Sequence, residues 1–309
     1  MKTHLSIIIV NWNSREQLRE CIASIPAAVK QLPATVVLDK IVVVDNASVD
    51  GSQHELRAAG CDIELISNHK NRGFAAACNQ GAASCGKADW LLFLNPDTRL
   101  FADSLRLPLL ALTDASNARV GIAGVQLVDE RGQVARSCAR FPTAAQFLAQ
   151  ALAAERLLPR LGQAMREWDH LETRVVDQVI GAFFLVRGPL FRRLGGFDER
   201  FFVYFEEVDL SLRASQAGWQ SLYLASAQAF HRGGGTSDQV KAMRLFYSLN
   251  SRIEYFRKHG GLLSRLLVGL TTWLIEPFSR LVFLFLKGRF GEVNDLRRAY
   301  SKLLASRCH

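Results

Sequence analysis

Four apolar runs in the first hundred residues show no alternation of hydrophobic and polar positions: "LSIIIV" (5–10), "KIVVVD" (40–45), "IELIS" (63–67) and "WLLFLN" (90–95). Continuous β-branched or leucine-rich runs of this length are expected of strands buried on both faces, and so of a parallel sheet covered by helices. Between the first two, Ser14 and Gln17 make a capping-box pattern, and Leu18, Cys21, Ile22 and Ile25 follow at helical spacing. After the third, "GFAAACNQGAA" reads as a small-residue helix with Phe74, Ala77, Cys78 and Gly81 on one side. The alternation predicts a doubly wound, Rossmann-like α/β unit over about residues 1–100, whose ligands bind where the chain leaves the carboxyl ends of the strands.

Farther along, residues 120–132 read as a strand and turn, and 179–188 as another buried strand. The Ala/Leu-rich stretch 144–168 is predicted helical, interrupted at Pro159, either packed on the sheet or forming a flexible flap. A helix is expected to start near Glu206 and run to Ala217, and 238–260 has an amphipathic helix pattern. The last apolar stretch, 262–290, has charge-free runs only at 266–275 and 281–286, shorter than the roughly 20 residues that span a bilayer, so no transmembrane helix is expected.

Composition narrows the classes. The 309 residues are 49% hydrophobic, enough for a large core. Six cysteines show neither a C-x-x-C pair nor zinc spacing and are expected to be mostly buried thiols in a reducing, cytoplasmic setting. The N-terminus has no signal-peptide pattern. Residues 241–309 hold 13 Lys/Arg against 4 Asp/Glu, so the whole net charge of +9 lies in that tail. Arg265, Glu276, Arg280 and Lys287 fall within about 60° on a helical wheel, despite a kink expected at Pro277. That stripe fits a helix lying in a membrane surface through residues 260–290, its bases toward anionic head groups; a homo-oligomer interface is the competing reading. No nucleic-acid-binding motif accompanies the bases, so nucleic acid is not expected as a partner.

The four strand ends carry the chemistry: Asn11-Trp12-Asn13, Asp45-Asn46-Ala47-Ser48, Asn68 with Asn71-Arg72-Gly73, and Asn95-Pro96-Asp97. Singly, such residues make turns and caps. Together at one sheet edge they point to a ligand site, and the missing G-x-G-x-x-G argues against a nicotinamide enzyme.

"IIIVNWNS", "VVVDNASVDGS", "NRGFAAACNQG", "FLNPDT", "GGFDERFFVYFEEVDLSLR" and "HRGGGTS" together resemble a family 2 glycosyltransferase of the GT-A fold, similar to bacterial rhamnosyltransferases of surface polysaccharide synthesis. The likeness covers about residues 5–237. It implies an α/β GT-A domain with a mainly parallel sheet over 1–237, its nucleotide-binding part about 1–100 and its acceptor and catalytic part about 101–237. The remainder, 238–309, would be a basic amphipathic helical tail. It further implies inverting transfer of a sugar, here expected to be rhamnose from dTDP-rhamnose, to a lipid-linked saccharide at the cytoplasmic face of the membrane. Asp45, with the Asn11 region, would bind the donor nucleotide, in a site expected to include Asn13, Asn46, Asn71, Arg72, Gly73, Asn79 and Asn95.

A departing diphosphate is stabilised by a divalent cation, Mg²⁺ or Mn²⁺, and hard cations need few protein oxygens when phosphates and water fill the rest. The family's D-x-D reads Asn95-Pro96-Asp97 here, which leaves Asp97 as the carboxylate ligand, with His231 the expected second ligand. Asp97 as a simple helix cap is the structural alternative. Inversion also needs a base for the acceptor hydroxyl. The family's paired acids map onto Glu206-Glu207, the second being the base, so Glu207 is the expected catalytic residue. Glu206 would orient the acceptor or the helix, and Asp209, four residues before Arg213, is expected to pair with it. A nucleotide-sugar binder without turnover, or a nucleotidyltransferase, is the other function class.

Overall fold

The structure is a computed structural model that describes residues 2–56, 62–233 and 240–307. The first half alternates as the apolar runs predict: β1 (Thr3–Asn11), α1 (Arg15–Val29), β2 (Val36–Asp45), α2 (Ser52–Leu56), β3 (Ile63–Ser67), α3 (Phe74–Ser84) and β4 (Trp90–Leu94). β1 lies parallel to both β2 and β4, and β2 to β3. Alternate residues of β1 reach opposite layers, as the pleat requires. Leu5, Ile7 and Ile9 meet Leu18, Cys21, Ile22 and Ile25 of α1, while Ile8 and Val10 join the layer containing Ala75, Ala77 and Cys78 of α3. The small side chains of α3 let it lie close: a Cβ on Gly81 would stand 2.6 Å from Ile8 Cγ2.

The second half extends the sheet with β5 (Thr98–Leu100), β6 (Val120–Val128), β7 (Val134–Ala135), β9 (Arg174–Val176), β11 (Phe183–Arg187) and β12 (Gln220–His231). The order is β3-β2-β1-β4-β11-β6-β12-β5, with β7 beside β6 and β9 beside β12. β11 runs antiparallel to β4 and β6, so the sheet is mixed beyond its parallel half. A small second sheet pairs β8 (Cys138–Ala139) with β10 (Gln178–Val179). Helices α4 (Arg106–Thr113), α5 (Ala144–Ala151), α6 (Gly188–Arg193) and α7 (Glu206–Gln216) flank these strands.

Two local expectations change. Ser14 caps nothing with its side chain; its hydroxyl donates to the Trp12 carbonyl, and the Arg15 N–H donates to Asp50 in the loop after β2. The predicted helix over 144–168 ends at Ala151, because Ala153 turns left-handed (φ 56) and reverses the chain into short 3-10 turns at 154–156 and 159–161. That reversal leaves Leu152, Leu157, Leu158 and Leu161 exposed. Cys21, Cys78, Cys85 and Cys138 are free and buried; Cys61 and Cys308 lie outside the described residues.

The tail folds onto the rest. Leu249 is buried in α8 (Lys241–His259), whose Tyr255 and Phe256 pack with Phe147, Phe201 and Val208. α9 (Leu262–Leu270), a π turn (Thr271–Ile275) and α10 (Glu276–Leu286) then form one continuous 25-residue helix, and α11 (Val293–Ala305) packs back on α8. Pro277 cannot donate to the preceding turn, and the widened π turn just before it absorbs that missing bond without ending the helix.

This corrects the expectation of a segment too interrupted to span: by length and a mean hydropathy of 1.4 in its most apolar window, 262–286 meets the requirement for crossing a membrane. Of the expected polar stripe only Glu276 turns inward; Arg265, Arg280 and Lys287 stay exposed. Glu276, at its centre, is buried, accepts hydrogen bonds from Arg252 of α8 and is clasped by Arg280, while Arg265 bonds the carbonyls of Phe256 and Gly260. The face turned outward is apolar, with Leu263 82%, Leu274 66% and Phe278 70% exposed.

Candidate active site

The carboxyl ends of β1, β2 and β4 open on one cavity of about 900 Å³. Its sheet-edge wall carries Trp12, Asn46, Asn71, Asn95, Pro96 and Asp97; Gly181, Ala182, Glu206, Glu207 and His231 line it too. Asn11 and Asp45, adjacent across the parallel pair, lie beneath that wall. Asn11 Nδ2 donates to Asp45 Oδ1 at 2.8 Å and to Ser52 Oγ at 2.7 Å, and Asp45 also accepts from Gln53 Nε2. Both are fully buried, so they hold the strand ends in place, while Asn11 Oδ1 keeps no protein partner.

Asn13 stands in a left-handed turn (φ 52), its amide oxygen accepting from the Val49 N–H. Asn46 ties the next strand to the loop before α3, donating to Asn71 Oδ1 and the Gly73 carbonyl and accepting from the Arg72 N–H. Gly73 has φ +87, and a Cβ there would stand 2.5 Å from the Phe202 carbonyl, so this loop closes only on glycine. Asn79 is not brought to the cavity: it hydrogen-bonds Phe197 and Glu199 and anchors the segment before α7.

Asp97 and His231 meet because β12 pairs antiparallel with β5, setting His231 opposite Thr98. Asp97 Oδ1 lies 3.4 Å from His231 Nε2, and both side chains are mostly buried yet face the cavity. Two ligands at right angles on a cation bound at about 2.1 Å stand about 3 Å apart, so this oxygen and nitrogen fit a shared divalent ion. Among the described residues no cluster of three His, Cys, Asp or Glu forms a complete cage, which leaves positions for phosphate and water. The glycine-rich turn 233–237 lies largely outside the described residues.

Glu206 and Glu207 open α7 and line the same cavity. Tyr204 and Phe205, both non-glycine, precede them at φ 68 and 73, a strained pair that costs about 1–3 kcal/mol per residue and aims the helix start.

Residues 6–137 match the family described as Glycosyl transferase family 2. The N-acetylglucosaminyl-diphospho-decaprenol L-rhamnosyltransferase of Mycobacterium tuberculosis is 30% identical over 257 residues, covering 78% of this chain and 80% of that protein. The chain belongs to glycosyltransferase family 2. Rhamnosyltransferase WbbL of Escherichia coli is 28% identical to this glycosyltransferase over 55% of the chain and 62% of its own length. Among solved structures, a Pyrobaculum calidifontis mannosyltransferase in complex with GDP-Man and Mn²⁺ superposes with a TM-score of 0.58 at 15% identity, covering 98% of this chain and 88% of that one. Staphylococcus aureus TarS 1–349 in complex with UDP-GlcNAc gives 0.55 at 14% identity, over 98% and 80%. These likenesses establish the GT-A fold.

In this glycosyltransferase the two glutamates differ electrostatically. Burial raises both carboxyls above the usual range, and Glu206 is pushed higher still by the negative charge of Glu207. Backbone hydrogen bonds at Glu207, Val208 and Gly181 pull Glu207 back down. Glu206 is therefore the carboxyl held more strongly toward its neutral form, and Glu207 the one better placed to ionise. Each keeps one buried carboxyl oxygen without a protein partner, Glu206 Oε2 and Glu207 Oε2.

A raised carboxyl in the folded state favours folding below the unfolded-state pKa and loses that contribution as pH climbs through the folded value. Glu206→Gln copies the neutral acid, so it is expected to raise stability by about 1 kcal/mol at neutral pH, with the benefit vanishing below pH ~4. It should retain sugar transfer within several-fold. Thermal melts at two pH values and a turnover assay check this.

Asp209 is not in the cavity. It is fully buried behind α7, where Oδ2 accepts from Arg213 Nε at 2.7 Å and Oδ1 accepts from His259 Nε2 at 2.7 Å and from Lys258. The expected pair with Arg213 forms, and two partners from the end of α8 join it. The sequence reading also missed the lining residues Phe202, Tyr204, Val240, Met243, Arg244 and Tyr247. Only the 3–4 residue spacing of the last four marked them beforehand.

Proposed function

We propose that the enzyme moves rhamnose from dTDP-rhamnose, with inversion, to a hydroxyl of a saccharide linked through diphosphate to a polyisoprenoid lipid. The observation that carries this reading is a single cavity lined both by the carboxyls that open α7, Glu206 and Glu207, and by the adjacent Asp97 and His231. The relative's name supplies the sugar and the acceptor class.

In this mechanism Asn13, Asn46, Asn71, Arg72, Gly73 and Asn95 shape the donor side over the Asn11–Asp45 knot. Asp97 and His231 would hold a divalent cation. When bound, that cation neutralises charge building on the departing diphosphate. Glu207 takes the proton of the acceptor hydroxyl as that oxygen attacks the anomeric carbon from the face opposite the diphosphate. Protonated Glu206 keeps a second negative charge away from the base and orients the hydroxyl.

Purified protein given dTDP-rhamnose and a diphosphate-linked N-acetylglucosamine amphiphile should form a rhamnosyl product whose anomeric configuration, read by NMR, is opposite to the donor's. Chelation by EDTA should cut the rate at least about tenfold, with recovery on adding Mg²⁺ or Mn²⁺. Donor binding with no turnover at any acceptor would instead favour a nucleotide-sugar binding protein.

The outward apolar face of α9 and α10 supports peripheral attachment to the cytoplasmic face of a membrane. The helix lies on the surface because its other side is committed to protein, with Val268, Thr271, Thr272 and Glu276 buried along its length. Co-flotation with vesicles containing anionic lipid is expected, and Leu263→Glu with Phe278→Glu should reduce it about tenfold or more without lowering the melting temperature.

A further inference from the structure

The cavity has two chemically distinct walls. Its sheet edge carries three amides and Asp97 beside Trp12 and Pro96, whereas α8 contributes Met243, Arg244 and Tyr247, with Val240 just before it. The spacing of one and three residues places Met243, Arg244 and Tyr247 on one helical face. The Tyr247 ring stacks on Phe202 with centroids 4.6 Å apart and planes inclined by 13°. One turn farther on, the Ser251 hydroxyl donates to the Val203 carbonyl at 2.9 Å. α8 therefore grips the 202–205 loop, the same strained loop that aims Glu206 and Glu207.

We infer that this α8 wall is the acceptor subsite, the Phe202–Tyr247 pair packing against a sugar ring and Arg244 binding the diphosphate that joins the saccharide to its lipid. The inference rests on the transferase reading above and deepens it. An incoming hydroxyl must reach the anomeric carbon from the base's side, and the α8 wall is continuous with the loop that carries the base. Flat aromatic faces suit the C–H surface of a pyranose. A planar guanidinium matches two phosphate oxygens at once, which separates a diphosphate-linked saccharide from a neutral glycoside. The wall also belongs to the helix that leads directly into α9, so the subsite lies next in sequence to the apolar outward face, where a lipid-borne acceptor would arrive.

The test is a binding titration of the full-length protein with three probes: dTDP-rhamnose, phenoxyundecyl-diphospho-N-acetylglucosamine and the neutral phenoxyundecyl N-acetylglucosaminide. Wild type should bind the diphosphate probe at least about tenfold tighter than the neutral one. Arg244→Gln should erase that preference, and Tyr247→Ala should weaken both amphiphiles about tenfold. Neither should change dTDP-rhamnose affinity more than about twofold. Equal binding of both amphiphiles by wild type, or an Arg244→Gln variant that keeps the preference, overturns the proposal. So does an Arg244→Gln loss falling on dTDP-rhamnose, which would give the arginine to the donor. Should that variant fail to fold, Met243→Glu sets a carboxylate on the same wall and should selectively weaken the diphosphate probe; unchanged preference there overturns the proposal as well. Wild type that binds neither donor nor amphiphile would defeat the transferase reading itself.

Discussion

Glu207→Gln is expected to lower sugar transfer by about 10²–10⁴-fold while leaving donor affinity nearly unchanged. The amide keeps the size of the side chain and its place at the start of α7, but it cannot accept the acceptor's proton. Single-turnover rates beside dTDP-rhamnose titrations separate the two effects. The matched Glu206→Gln variant provides the control, since it imitates the protonated state that its environment already imposes. If Glu206→Gln were inactive and Glu207→Gln active, the roles of the two carboxyls would be exchanged. The wild-type rate should climb with pH through a value above the usual carboxylate range, because burial raises the base that must ionise.

The second large effect is on stability. Asp209→Asn should cost about 3 kcal/mol at neutral pH, because the buried carboxylate is the common hydrogen-bond partner of Arg213, Lys258 and His259, and its loss leaves the half-buried Arg213 guanidinium without a counter-charge. Burial by itself would raise the Asp209 carboxyl; the hydrogen bonds from His259 and Lys258 and the Arg213 charge outweigh it and leave the group lowered. A lowered carboxyl contributes stability above its unfolded-state pKa and loses it as pH falls through the folded value. The gap between wild type and variant in urea unfolding should therefore be full near pH 7 and close below about pH 4. Because Lys258 and His259 end α8, the variant should also loosen the tail from α7, seen as faster amide exchange over 241–259.

The parallel half of the sheet was legible because strands buried on both faces leave unbroken apolar runs, and β1 to β4 follow those runs closely. The polar strand ends were legible for the same reason: a run that stops abruptly in Asn, Asp and Ser marks the edge where the chain leaves the core. The helix pattern of 144–168 misled, since periodicity records which residues are apolar and not whether a partner surface exists beyond Ala151. The charged stripe of 262–290 misled at one position, Glu276, which is buried while Arg265, Arg280 and Lys287 stay exposed. A wheel shows that Arg265, Glu276 and Arg280 share a side, but whether that side meets water or protein depends on Arg252, a residue on another helix.

The sequence by itself determined the parallel sheet, the polar edge, the family and the residues able to take a proton or hold a cation, because each is written in local periodicity or residue chemistry. Tertiary structure alone decided that Asp97 and His231 meet, that Glu206 and Glu207 are buried in the same cavity, that Asp209 serves α8 and that α8 lines the cavity. Those outcomes depend on distance, burial and neighbouring charge between residues remote along the chain, and such quantities exist only once the chain has folded.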